Sequence, residues 1–147
     1  MGWIICGVVL PSCLVAAWLI VRAPLRQILD EMRVGRAHVR FRQQREWLEV
    51  RFLKALGTLD PVERLRWEDA RWHDDVHWAR DSQTRRLLAL VEIRFGADPF
   101  DDYATALFEY RKGRWVADGK RLDATRPDDA FRRLCRFQPV APPQRRP

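Results

Sequence analysis

The run His73-Asp74-Asp75-Val76-His77 holds the residue types most able to do chemistry in this 147-residue chain. On a helix, two histidines four residues apart lie on one face and can share a divalent cation. A metal site needs further ligands, and the one other histidine, His38, is far upstream. Aspartates could supply oxygen, but spacing marks none of them out. Other constellations are weaker. Cys135 has arginines at 132, 133 and 136 but no histidine placed by sequence to serve as its base. Ser12 lies in an apolar run and Ser82 has no nucleophile context. Asp98, Asp101 and Asp102 lack the spacing and glycine of a calcium loop. No glycine-rich phosphate loop and no CxxC pair occurs.

The histidine spacing resembles the HExxH motif of the zincin metalloproteases. That resemblance implies a zinc ion on His73 and His77, with Asp74 in the place of the general-base glutamate. The shorter aspartate and the lack of a marked third ligand depart from the family's pattern. The histidines are therefore read as part of a solvated helix face, with no metal or cofactor expected. A membrane-tethered, metal-dependent hydrolase using His73 and His77 is the alternative function.

The expected fold class is α+β. Asp60-Pro61-Val62-Glu63 is a strong helix start: an N-cap acceptor, proline at the first position and glutamate to close a capping box. The stripe Val62, Leu65, Trp72, Val76, Ala79 extends that helix through both histidines. Trp67 and Trp78, eleven residues apart, then align on its opposite side. That face is covered by the neighbouring helix, by a partner protein or by the bilayer surface. Period-two alternation through Leu87–Phe95 predicts a strand, followed by strands near Ala104–Arg111, Trp115-Val116 and Arg121-Leu122. Lys112-Gly113 and Asp118-Gly119 are hairpin signals, and a two-residue loop sets Tyr110 opposite Trp115. A short helix is expected from Pro127 to Leu134. The proline-rich residues 138–147 are expected to be a disordered tail.

Upstream lies Gly2–Val21, twenty residues without a charge. At about 1.5 Å per residue such a helix spans roughly 30 Å, the hydrocarbon thickness of a bilayer. The absence of a basic leader and of a small-residue cleavage site argues for a retained anchor over a signal peptide. Trp3 and Trp18 fall near its two ends, where indoles favour the headgroup zone, and Arg22, Arg26, Arg33 and Arg36 follow on one side only. The expected placement is single-pass in the cell (inner) membrane, N-terminus outside and C-terminal domain cytoplasmic. Pro24 is expected to break the anchor from a juxtamembrane helix, which Gly57 closes.

The domains so read are the anchor at 1–22, the juxtamembrane helix at 23–57, an α+β domain at 58–137 and the tail. They give two amphipathic helices, an antiparallel meander of three or four strands and a short C-terminal helix. Residues 22–57 hold nine basic and four acidic residues, residues 58–85 five and seven, residues 86–147 thirteen and nine. Acids are interleaved throughout, which argues against the coherent basic face that nucleic acid requires. The expected function is a non-enzymatic accessory or scaffold subunit of a membrane assembly. Its partners would be the lipid bilayer and a membrane or cytoplasmic protein.

Overall fold

The computed structural model describes residues 2–96 and 102–141; the side chains of 2–17, 19–21 and 23–28 are outside that description. The chain divides into two compact units, Met1–Arg36 and Ala37–Pro147. One helix, α1 (Gly2–Leu59), supplies all of the first unit that is described and the start of the second. The break expected at Pro24 is not found, nor the stop at Gly57. A proline removes one amide from the ladder, and good helix formers on both sides carry the helix through it. Among the described residues no helix is long and apolar enough to cross a membrane. Apart from Trp18, the side chains of the Gly2–Val21 run, Trp3 included, lie outside those residues, as does that of Arg26.

In the second unit α1 packs by one face. Ala37, Phe41, Leu48, Phe52 and Leu56 are fully buried, at steps of four, seven, four and four. Asp60 then caps α2 (Pro61–Glu68), accepting from the Val62 and Glu63 amides at 3.2 Å. The start signal holds, but the helix lasts only eight residues. The segment beyond it is strand β1 (Arg71–Asp81), not helix. Trp, His, Asp and Val are modest helix formers, and two aspartates mid-segment weaken a helix further. Pairing with β2 (Leu87–Arg94) outweighs what remains of helix propensity: β1 meets it in seven registered pairs from Arg71↔Arg94 to Arg80↔Leu87. A bulge between Trp72 and Val76 sets four steps of β1 against two of β2, so both residues face the same side.

The rest of the meander follows expectation. Strands β3 (Tyr103–Arg111), β4 (Arg114–Val116) and β5 (Arg121–Asp123) precede α3 (Pro127–Arg133). The Lys112-Gly113 turn has both residues at positive φ, 48° and 81°, as a two-residue hairpin requires. Tyr110 pairs with Trp115, ring centroids 5.1 Å apart. Residues 137–139, expected in the tail, instead form β6 (Phe137–Pro139), paired to β1 at Ala79–Asp81. Residues 142–147 lie outside the described residues. The six-stranded antiparallel sheet runs β4-β3-β2-β1-β6, with β5 beside β4 on β3.

The sheet is covered on both faces. Against α1 lie Trp72, Trp78, Ala89, Val91, Ile93, Phe108 and Trp115, with Trp67 of α2 closing one end. The Trp115 indole donates to the Ala37 carbonyl at 2.8 Å and Arg40 to the Gly113 carbonyl at 2.5 Å, tying the hairpin to α1. Gly119 (φ 70°) sits so close to α1 that a Cβ there would lie 3.0 Å from the Leu56 amide nitrogen. On the opposite face Ala79, Leu88, Leu90 and Leu107 pack with Ala130 of α3 and Phe137 of β6.

Candidate functional site

A cleft of about 690 Å³ opens where β6 stops covering β1. β6 pairs with Ala79–Asp81, and the Val140 amide donates to the Trp78 carbonyl at 2.9 Å. Beyond that point Arg71–His77 has no strand on its outer side among the described residues. Backbone groups of alternate residues point the same way in a strand, so the N–H and C=O of Val76, like the Trp78 carbonyl, point outward into the cleft. Val76, Trp78, Phe131 and Val140 give it apolar surface. Arg42 and Arg45 of α1 flank it on one side, Asp74, Asp75 and His77 of β1 and Asp128 of α3 on the other.

The bulge is held by Arg45. Its guanidinium donates to the carbonyls of His73 and of Asp74 (2.7 Å for the latter) and to Glu49 at 2.8 Å. These bonds satisfy carbonyls that the bulge removes from the ladder, so β1 keeps its irregular edge without orphaned acceptors. Asp74 is left fully exposed; Asp75 and Asp128 are mostly exposed. His73 Nδ1 lies 3.6 Å from Asp75 and His77 Nδ1 3.4 Å from Asp128.

The histidine pair therefore stands on a bulged strand rather than on a helix, and each imidazole faces its own aspartate. Among the described residues no three His, Cys, Asp or Glu side chains are grouped to hold a metal ion. Trp67 and Trp78 are also redistributed: Trp67 belongs to α2 and Trp78 to β1, and both are buried. Together they form no exposed face on which a partner could dock. Trp67 packs on Phe52, Trp72 and Phe95 and donates its indole N–H to Glu63 at 3.1 Å. Of the interface residues, Trp18, Arg22, Arg33 and Arg36 are exposed, and the Arg22 guanidinium stacks 4.4 Å above the Trp18 ring.

Sequence reasoning passed over His38. It is buried on α1, its ring stacked 3.7 Å from Trp78, and among the described residues its Nε2 has no hydrogen-bond partner. Desolvation, aided by the Arg42 charge, lowers its pKa to about 4. Two carboxylates are shifted by partners. The Arg136 guanidinium, 2.8 Å from the buried Asp81 carboxylate, holds that group well below the usual range, with help from the Gln83 and Thr84 amides. Burial pushes Glu109 up, but hydrogen bonds from Lys120, Arg111 and Arg86 outweigh it and lower the pKa overall. The Asp81–Arg136 pair, with the Ser82 amide bonded to the Arg136 carbonyl at 2.8 Å, pins the start of β6 and so fixes where the cleft begins. No local sequence signal marks the cleft; His38, one turn before Phe41 and Arg42 on the buried side of α1, was open to a periodicity argument.

The chain matches no protein-family model, no curated protein and no solved structure.

Proposed function

We propose that this chain is a single-pass membrane protein whose C-terminal α+β domain faces the cytoplasm and works as a non-enzymatic interaction module. The observation that carries the reading is the span of α1. The same helix that begins with the uncharged Gly2–Val21 run ends with Ala37–Leu56, the residues that build the domain's aromatic core. A domain that contains the end of its own anchor helix suits a part held in an assembly. The basic residues that follow the run, Arg22 to Arg42, favour the cytoplasmic side. Arg22, Arg26, Arg33 and Arg36 would also draw the helix to anionic lipid, each by on the order of 1 kcal/mol. The cleft supports interaction over catalysis: it offers a backbone edge and apolar surface, and its one lining imidazole, His77, lies beside Asp128.

The test uses Cys135, which is exposed and free. In a chain carrying Cys6→Ser and Cys13→Ser, a membrane-impermeant maleimide should leave Cys135 unlabelled in intact cells and label it after lysis, while the chain resists extraction by alkaline carbonate. Labelling in intact cells would reverse the topology, and release by carbonate would remove the anchor.

A further inference from the structure

We infer that the cleft beside β1 takes an extended, arginine- or lysine-bearing peptide segment as an added strand. The inference deepens the interaction-module reading but does not depend on the anchor. Three observations converge. First, among the described residues the sheet edge is open: β6 pairs with β1 no further than Trp78, and the Val76 N–H and C=O point into the space that the next strand would fill. A strand added there continues the ladder with main-chain hydrogen bonds, and side-chain contacts supply the specificity. Second, the edge has the usual protections against indiscriminate pairing, a bulge and charged residues, and among the described residues no strand lies over it at Val76. Arg45 holds the bulge by its carbonyls, so the groove is shaped before any ligand arrives.

Third, the charge selects the partner. Asp74, Asp75 and Asp128 present largely exposed carboxylates to the groove. The guanidinium of Arg45 is bonded to Glu49 and to two backbone carbonyls and lies 3.9 Å from the Asp74 carboxylate, which leaves Asp75 and Asp128 as the groove carboxylates that Arg45 does not offset. A segment with basic side chains at alternate positions sets them against Asp128 on the α3 face of the sheet, while its other side chains meet Val76 on the α1 face.

The test is a fluorescence-anisotropy titration of the full chain in non-ionic detergent. The probe is a labelled octapeptide of alternating arginine and valine. The inference expects saturable binding that weakens with salt. Binding should be at least tenfold weaker for the glutamate-for-arginine peptide. It should be at least tenfold weaker again for the arginine peptide against a chain carrying Asp74→Asn, Asp75→Asn and Asp128→Asn, whose melting should match the parent. N-methylation of every second amide should abolish binding in one phase and spare it in the other, because only one edge of an added strand pairs. Equal affinity for the acidic and basic peptides overturns the inference, as does equal tolerance of both methylation phases or no binding at millimolar peptide. Self-association of the chain that the three substitutions abolish would put a second copy in the groove and also overturn it. None of these outcomes alters the maleimide result, so the groove and the anchor fail separately.

Discussion

The two faces of the sheet are built from different material. The face under α1 is aromatic: Phe41, Phe52, Trp67, Trp72, Phe108 and Trp115 meet edge-on or tilted, with Phe41–Trp115 centroids 5.0 Å apart and Phe52–Trp72 5.7 Å. The face under α3 is aliphatic and small, with Ala79, Leu88, Leu90, Leu107 and Ala130, and the cleft opens at its β1 edge. Large rings bury more area per residue and add pairwise attraction of about 0.5–1.5 kcal/mol each. The fold is secured from the α1 side, and among the described residues the β1 edge carries no strand beyond Trp78.

Replacing Trp67 by alanine breaks the comparison at its strongest point. The indole is fully buried among three rings and hydrogen-bonded to Glu63, so thermal or denaturant unfolding should show a loss of about 3–5 kcal/mol. Leu90→Ala, on the thinner face, should cost less, about 2–3 kcal/mol. Equal or reversed costs would remove the asymmetry.

Next in size is the acid response. His38 is neutral in the folded protein, with a pKa of about 4 against an ordinary 6.5. Its contribution is intact above pH 6.5. Between pH 6.5 and 4 the unfolded chain takes up a proton that the folded chain excludes, so stability falls across that window by about 3 kcal/mol. The carboxylates of Asp81 and Glu109 run the other side of the curve: both are lowered, so their contribution holds above the ordinary carboxylate range and is lost as pH falls through and below it. Denaturant titrations at several pH values should show the upper window flatten in His38→Phe, while the lower one remains. A parent whose stability is level between pH 6.5 and 4 would contradict the burial of His38.

Much of this architecture was legible locally. The Asp60 cap, the alternation of Leu87–Phe95, the Lys112-Gly113 turn and the core steps at Phe41, Leu48, Phe52 and Leu56 each depend on near neighbours. β1 was not legible for a specific reason. Trp72 and Val76 share a face at a spacing of four, which fits a strand and a helix alike, and the bulge between them breaks the alternation that would have told the two apart. His73, Asp74 and Asp75 between them looked like a polar helix face and are the bulge itself. β6 was hidden because a three-residue strand ending in proline has no periodicity to read, and Asp81, 55 residues away in sequence from Arg136, pins it. The cleft depends on where β6 stops, a contact between distant segments, so no motif could announce it.

A smaller effect sharpens the α1 side. Gly119→Ala would put a Cβ 3.0 Å from the Leu56 nitrogen at φ 70°, where only glycine is unstrained, and should cost about 1–2 kcal/mol in denaturant midpoint analysis. The smallest effect belongs to the open edge. Asp74→Asn and Asp75→Asn are expected to stay within about 0.5 kcal/mol of the parent stability while weakening peptide binding. A large stability loss there would mean that the edge is structural.

Amide hydrogen exchange on the full chain, with and without the arginine–valine octapeptide, bears most directly on the division between a holding face and a recognising edge. Without peptide, the amides of Phe52, Leu56 and Leu90 should exchange slowly and that of Val76 quickly. With peptide, Val76 should become protected and the α1 face should not change. A Val76 amide already protected in the free chain, or protection that spreads through the aromatic core and spares the edge, would contradict the account.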